Sequence, residues 1–238
     1  MPREPAPLDD AKRFPTAEAL ADALARRVAE IITYAAGARG RASLIVSGGR
    51  TPITLYQRLA GSELPWDRVG ISLADERRVP EDDPRSNARL VREHLLQGSA
   101  AAARFVPIHR DGADERADEA ACAAALGTLP RPFDAVILGM GDDGHTASLF
   151  PGAPELPAAL DLQREACCQA ITAPAEPPER LTLTLATLLD SRWIALHVTG
   201  QEKWQTLARA LEAGDPMRYP VAALFRQRRV PVHVYWSP

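Results

Sequence analysis

The sequence predicts an α/β fold in which a mostly parallel sheet is flanked by helices. Short apolar segments alternate with amphipathic ones along most of the 238 residues, and glycine turns directly follow several of the apolar segments. Strands that alternate with helices pair in parallel through right-handed crossovers. With no internal repeat or linker, residues 16–238 are predicted to form one doubly wound domain. Residues 1–15, rich in proline and charge, are predicted to be a flexible arm.

The predicted fold begins with a helix over residues 17–36, for which Thr16 is a suitable N-cap. Its apolar residues recur at spacings of three and four and form one stripe. Gly37 and Gly40 are expected to end this helix. A short apolar run over residues 42–47 then predicts a buried strand that leads into a glycine turn.

The second helix is predicted to follow this turn, with Thr51 as its N-cap and Pro52 at its first helical position. From there the alternation of strand and helix continues along the chain. Further strands are predicted over residues 69–74, 105–108, 133–138, 166–172, 181–185, 193–198 and 232–236. Further helices are predicted over residues 86–96, 113–126, 202–211 and 220–225, with a proline-rich loop over residues 150–160.

Composition and charge argue against several classes of protein. A net charge of −3 does not suit a general nucleic-acid surface, which is usually strongly basic. No segment approaches the ~20 apolar residues that span a membrane, and no secretory signal is evident. We therefore expect a cytoplasmic protein with neither nucleic acid nor membrane as a partner. Cys122, Cys167 and Cys168 form an odd set without CxxC spacing, which predicts reduced thiols and no zinc site.

Four polar loops directly follow predicted strands, which is where ligands bind in doubly wound sheets. The first joins two consecutive glycines to the start of a helix. Such a loop turns backbone N–H groups and the positive end of a helix toward a phosphate. A tight turn that simply needs two glycines is the alternative. The candidate residues are Ser47, Gly48, Gly49, Arg50 and Thr51.

The second and fourth loops carry charge. In the second, Asp75 or Glu76 suits sugar hydroxyls or acid–base chemistry, and the forked donors of Arg77 suit an anion. A solvated turn held by salt bridges is the alternative. In the fourth, Lys203 is expected in the first turn of a helix, where a cation opposes the helix dipole. A bound phosphate would compensate for this, and an exposed lysine is the alternative.

The third loop, from Gly139 to His145, carries the residues best suited to catalysis. Three glycines surround two carboxylates and a histidine. Imidazole titrates near neutral pH, so His145 is suited to take and return a proton. Asp143 or Asp142 is placed to orient the ring. No second histidine or cysteine stands at metal-ligand spacing, so no metal is expected. The alternative to a catalytic loop is a structural glycine turn.

The remaining histidines stand in helix or strand contexts and are predicted to be structural or surface residues. They are His94, His109, His197 and His233. Arg180 opens a predicted strand, and its position alone does not reveal a role.

Taken together, these segments resemble the 6-phosphogluconolactonases, in the order in which that family carries them. The matching segments are SGGRTP at 47–52, DERRVP at 75–80 with Ser86 and Asn87, GMGDDGHTASLFPG at 139–152, ERLTLTL and TGQEKW. The resemblance implies a modified Rossmann-like fold. It also implies hydrolysis of 6-phospho-D-glucono-1,5-lactone, a small phosphorylated sugar lactone, to 6-phosphogluconate in the oxidative pentose phosphate pathway. No cofactor is expected.

By position, the resemblance implies that His145 is the catalytic base and Asp143 its neighbour. It implies that Arg77, Arg180 and Lys203 contact the phosphate or the sugar. Arg50 departs from the family pattern, because many members have a small hydroxyl residue there. Arg50 either contacts the phosphate or points to solvent. For the protein as a whole, a monomer or small homo-oligomer is expected.

Two other functions are compatible with parts of the pattern. A glucosamine-6-phosphate deaminase or sugar-phosphate isomerase also uses an Asp and a His after these strands. The deaminase, however, usually carries a carboxylate shortly after the histidine, and residues 146–150 contain none. A non-catalytic sugar-phosphate sensor would keep the phosphate loop and Lys203, but it would not need Asp143 and His145.

Overall fold

The computed structural model describes residues 8–112 and 114–238, over which strands and helices alternate. The strands are β1 Lys12–Arg13, β2 Ala42–Val46, β3 Val69–Leu73, β4 Asp75–Arg77, β5 Arg104–Val106, β6 Ala135–Leu138, β7 Cys168–Thr172, β8 Glu179–Leu183, β9 Ile194–Thr199 and β10 Val232–Ser237. The α-helices are α1 Ala17–Arg39, α2 Ile53–Ala60, α3 Asn87–His94, α4 Glu115–Leu126, α5 Leu156–Leu160, α6 Leu185–Leu189 and α7 Gln201–Ala213. Short 3₁₀ helices span Trp66–Arg68, Gly98–Ala102 and Pro220–Phe225.

Seven strands form one sheet in the order β1-β10-β9-β6-β2-β3-β5, and every neighbouring pair is parallel. All residues of β2, β3 and β6 are buried. Both faces of the sheet are therefore covered, as expected for parallel strands connected by helices. The predicted fold class, a mostly parallel sheet flanked by helices, is confirmed.

Local sequence explains the bounds of α1. The hydroxyl of Thr16 accepts a hydrogen bond from the first turn, as predicted. The predicted apolar stripe is buried against the core. The helix does not end at Gly37 but continues to Arg39. It stops at Gly40, whose φ of +77° is the left-handed conformation that favours glycine at a helix C-cap.

The second helix begins later than predicted. Thr51 is not its N-cap; Pro52 occupies that position, and α2 begins at Ile53. No side chain caps this end of the helix. Uncapped N–H groups in the first turn of a helix are available to an anionic ligand.

Three strands form a second sheet, antiparallel and in the order β4-β8-β7, which was not predicted. Residues 75–77 were expected to be a loop, but the chain leaves the main sheet after Ala74 and pairs with β8 instead. In this pairing Arg77 stands directly opposite Arg180. Antiparallel strands need no crossover helix, so the alternation of strand and helix gave no sign of this sheet.

Several other bounds differ from the prediction. The proline-rich loop contains α5, and α6 lies between β8 and β9. The strand predicted from Phe133 begins at Ala135, and Phe133 forms only an isolated bridge with Ser191. In the described part of the chain, no helix has both the length and the apolar character needed to cross a membrane.

The N-terminal arm needs correction at two residues. Lys12 and Arg13 form β1, which pairs in parallel with β10 at the edge of the main sheet. This part of the predicted flexible segment is therefore a strand. Residues 1–7 of the same prediction lie outside the described residues.

The prediction that all cysteines are reduced is wrong. Cys122 of α4 and Cys168 of β7 form a disulfide, while Cys167 is a free thiol. The two bonded cysteines are 46 residues apart in the sequence, and only the packing of α4 against β7 brings them together. An odd number of cysteines without a local motif could not reveal this pairing.

Candidate active site

A cavity of about 500 Å³ opens at the C-terminal ends of β2, β6 and β9, where ligands bind in sheets of this type. The loops after these strands line it, together with residues of β4 and β8 from the second sheet. Ten residues predicted for the site line this cavity: Ser47, Gly48, Gly49, Arg50, Thr51, Asp75, Arg77, His145, Arg180 and Lys203. Asp143 is not part of the lining but contacts His145.

The loop after β6 is so tight that two of its glycines have no space for a side chain. The N–H of Gly141 donates to the carbonyl of His145 at 2.9 Å. A Cβ on Gly141 would lie 2.1 Å from Cε1 of the His145 ring. Gly144 has a φ of +82°, and a Cβ there would lie 2.9 Å from the ring of Tyr219. Glycine at these positions therefore lets the imidazole fold back over its own turn.

His145 and Asp143 form a hydrogen-bonded pair. Nδ1 of His145 lies 2.6 Å from Oδ1 of Asp143, which also accepts the backbone N–H of His145 at 3.0 Å. Burial would raise the pKa of Asp143, but the hydrogen bonds from His145 outweigh burial and hold that pKa below its usual range. An ionised Asp143 accepts a hydrogen bond from Nδ1–H and so favours the tautomer that has its lone pair on Nε2.

The choice between the two neighbouring carboxylates is clear from these contacts. Asp142 lines the cavity, but its side chain makes no hydrogen bond to the imidazole. The imidazole also packs against an aromatic ring, because the Phe150 ring lies 4.3 Å from the His145 ring, centroid to centroid. Asp143 and Phe150 together hold the ring at the cavity wall.

The loop after β2 packs closely against α3. A Cβ on Gly48 would lie 1.8 Å from Oδ1 of Asn87, so the asparagine side chain lies directly on the glycine backbone. The hydroxyl of Ser47 donates to the carbonyl of Ile137 at 2.9 Å, which ties the loop to β6. Arg50 is exposed at the cavity and has no ion-pair partner among the described residues.

The two acidic residues that follow β3 have different surroundings. Asp75 is buried at the cavity, where its Oδ2 accepts the hydroxyl proton of Ser148 at 2.6 Å. Glu76 does not line the cavity. Its carboxylate accepts the backbone N–H groups of Asn87 and Ala88 at 2.7 Å each, and burial raises its pKa. Glu76 therefore anchors the start of α3 to β4, and Asp75 is the acidic residue that faces the site.

Arg77 and Arg180 both line the cavity from the second sheet. They stand opposite each other on β4 and β8, and Arg180 is buried. Neither makes an ion pair with a carboxylate within the described residues. Burial, and then the positive charge of Arg77, lower the pKa of Arg180. An anionic ligand would offset the repulsion between these two groups.

Lys203 lies in the first turn of α7, as predicted. It lines the cavity and has neither a hydrogen bond nor an ion pair with any described residue. Its ammonium group is therefore close to the unfavourable positive end of the helix dipole without a compensating partner. Among the described residues, no group of three or more His, Cys, Asp or Glu is arranged to hold a metal ion.

The residues that line the cavity without having been predicted for the site include three with polar or charged side chains. Glu176 lies in the loop before β8, and the side chain of Asn87 lies against Gly48. His197 is buried near the end of β9. His197 was expected to be structural or on the surface. Its place two residues before the C-terminal end of a strand was the available signal, because ligands bind at those ends.

The family model described as "Glucosamine-6-phosphate isomerases/6-phosphogluconolactonase" matches residues 15–236. The chain belongs to this family. The predicted family relationship is thus confirmed. The matched region includes every residue that lines the cavity.

Individual relatives agree with the family match. The chain is 44% identical over 225 residues to a 6-phosphogluconolactonase from Mesorhizobium japonicum, covering 94% of each chain. It is 45% identical over 224 residues to one from Pseudomonas putida, covering 93% of this chain and 90% of the relative. Both names denote a carboxylic ester hydrolase, which confirms the predicted enzyme class.

Solved structures give the same result for the fold. The structure is similar to the crystal structure of a 6-phosphogluconolactonase from Shewanella baltica, with a TM-score of 0.91 and 44% identity over 95% of this chain and 97% of that one. It is also similar to a 6-phosphogluconolactonase from Trypanosoma brucei, with a TM-score of 0.79, 26% identity and coverage of 95% and 96%. The resemblance therefore extends over nearly the whole chain.

Proposed function

We propose that this family member hydrolyses 6-phospho-D-glucono-1,5-lactone to 6-phospho-D-gluconate, the lactone-opening step of the oxidative pentose phosphate pathway. The observation that carries the proposal is the hydrogen bond between His145 and Asp143 at a cavity whose cationic side chains Arg77, Arg180 and Lys203 form no ion pair with the described residues. His145 and Asp143 supply acid–base chemistry, and the cationic side chains suit a phosphorylated substrate. The names of the relatives support the same assignment.

In the proposed reaction, Nε2 of His145 removes a proton from water as the water oxygen attacks the lactone carbonyl. Asp143 stabilises the resulting imidazolium through Nδ1. The oxyanion is stabilised by a cationic or backbone donor of the cavity. The carbonyl then re-forms, the bond to the ring oxygen breaks, and His145 returns its proton to that oxygen.

The cationic side chains of the cavity account for the proposed preference for a phosphorylated substrate. Arg77, Arg180 and Lys203 all line the cavity and have no carboxylate partner among the described residues. A phosphate dianion would relieve their mutual repulsion and the helix-dipole penalty at Lys203. The backbone at Gly48 and Gly49, ahead of the uncapped helix α2, offers further N–H donors for the same group.

The test follows purified protein acting on freshly made 6-phosphogluconolactone, with spontaneous hydrolysis subtracted. We expect His145→Ala to lower kcat by about 10²- to 10⁴-fold, the usual contribution of general acid–base catalysis. His94→Ala is the matched control, because His94 lies outside the cavity lining. Near-wild-type turnover by His145→Ala would show that this residue is not the base.

Glucosamine 6-phosphate serves as the comparison substrate. Ammonia release from it, without lactone hydrolysis, would replace the proposal with deaminase activity. Binding of 6-phosphogluconate by wild-type protein without turnover of any of these compounds would favour a sugar-phosphate sensor.

A further inference from the structure

His197 lies on the cavity wall between the loop of His145 and the helix of Lys203. Leu196 pairs with Leu138 in the parallel register of β9 and β6, so His197 lies beside Gly139, where the loop after β6 begins. The imidazole is 4% exposed, and it forms part of the cavity lining. It therefore lies beside the start of the loop that carries the proposed base, and near enough to Lys203 for that positive charge to lower its pKa.

The two nitrogens of this ring differ in their surroundings. Nδ1 is completely buried and has no hydrogen-bond partner. Nε2 also makes no hydrogen bond but, unlike Nδ1, it is not completely buried. It is therefore the nitrogen that faces the cavity. Burying an N–H without an acceptor is costly. The favoured tautomer therefore carries its proton on Nε2 and presents that N–H to the cavity.

The charge state of His197 fits a role as an uncharged donor. Burial, and then the positive charge of Lys203, lower the pKa of His197 to about 4. The ring is therefore neutral at physiological pH and adds no further charge to a cavity that already holds several cations. A residue with a purely structural role would be better apolar here, because the histidine leaves a buried nitrogen unsatisfied.

We propose that His197 is a further substrate-binding residue, whose Nε2–H donates a hydrogen bond to an oxygen atom of the bound sugar phosphate. The inference rests on the proposed function for the identity of that ligand. It assigns His197 to binding and leaves proton transfer to His145.

The experiment measures the dissociation constant of 6-phosphogluconate, the stable product, by calorimetry for wild type and three variants. His197→Leu removes the donor, whereas His197→Gln places an amide N–H near the position of Nε2. His233→Leu is the matched control, because His233 lies outside the cavity lining. We expect His197→Leu to weaken binding about twofold to tenfold, the usual range for one hydrogen bond. His197→Gln should restore most of that loss.

Unchanged affinity in His197→Leu would overturn the proposal. Equal weakening in His197→Leu and His197→Gln, accompanied by a lower melting temperature in both, would also overturn it and indicate a structural role. Failure of the proposed function would look different, because wild-type protein itself would then neither bind 6-phosphogluconate nor hydrolyse the lactone.

Discussion

Replacement of His197 should change how the stability of the ligand-free protein depends on pH. The pKa of this histidine falls from 6.5 to about 4 on folding, because the imidazole is buried. Above pH 6.5 neither the folded nor the unfolded state binds a proton at this site. As the pH falls below 6.5, the unfolded chain takes up the proton while the folded protein does not, so stability is lost until the pH approaches 4.

The size of the effect follows from the two pKa values. Between about pH 7.5 and about pH 4.5, this group should lower the free energy of unfolding of the wild type by about 2.5 kcal/mol. In a chain of this length, such a change corresponds to a melting temperature lower by about 5–10 °C. His197→Gln has no titrating group there and should not undergo this part of the acid destabilisation.

The measurement is thermal unfolding of wild type and His197→Gln across this pH range, followed by circular dichroism. The informative quantity is the difference between their melting temperatures, because other groups titrate equally in both proteins. We expect this difference to shift in favour of His197→Gln as the pH falls. A difference that stays constant from pH 7.5 to pH 4.5 would refute the reasoning, since linkage requires a change.

Three further substitutions test other features. Asp143→Asn should lower kcat for the lactone by about 10²- to 10⁴-fold with little change in KM, because the amide favours the wrong tautomer of His145. Gly141→Ala should lower kcat while the fold survives, because the added Cβ would lie 2.1 Å from the His145 ring and displace it. Cys122→Ser should lower the free energy of unfolding by about 2–4 kcal/mol, because the disulfide closes a long loop; thermal unfolding measures this.

Each of these substitutions has a neighbour that serves as its control. Asp142→Asn changes a carboxylate that does not contact the imidazole, and an equal loss of kcat would contradict the role of Asp143. Gly139→Ala adds a Cβ that meets no atom within 4 Å, and a matching loss of activity would contradict the steric argument for Gly141. Cys167→Ser removes the free thiol, and an equal fall in stability would contradict the importance of the disulfide.

The parallel sheet was predictable because its signals are local. Short buried strands are nearly continuous apolar runs, as in Ala42–Val46, and glycine turns mark their ends. The antiparallel sheet was not predictable in the same way. Its strand β4 is only three residues long and is made of charged residues, which resemble a solvent-exposed turn until they pair with β8.

The candidate site was predictable wherever one loop carries the whole signal. The glycines around Asp143 and His145 stand within one short segment, and the structure brings these two side chains together. The role of Arg180 depended on family resemblance, because its proximity to Arg77 is set by strand register. The place of His197 in the cavity wall was not predicted, because a lone histidine inside an apolar strand is more often a core residue and its position near the end of the strand is a weak signal.

The register of β4 and β8 decides whether Arg77 and Arg180 both line the cavity. Successive side chains of a strand point to opposite faces, so a slip of one residue between β4 and β8 would carry one guanidinium away from the cavity. The loop of His145 follows β6 in the other sheet, but Ser148, three residues beyond His145, donates hydrogen bonds to Asp75 of β4 and Thr182 of β8. A slip in the small sheet would therefore disturb the support of the His145 loop as well as the position of a guanidinium group, so both parts of the cavity wall depend on one strand register.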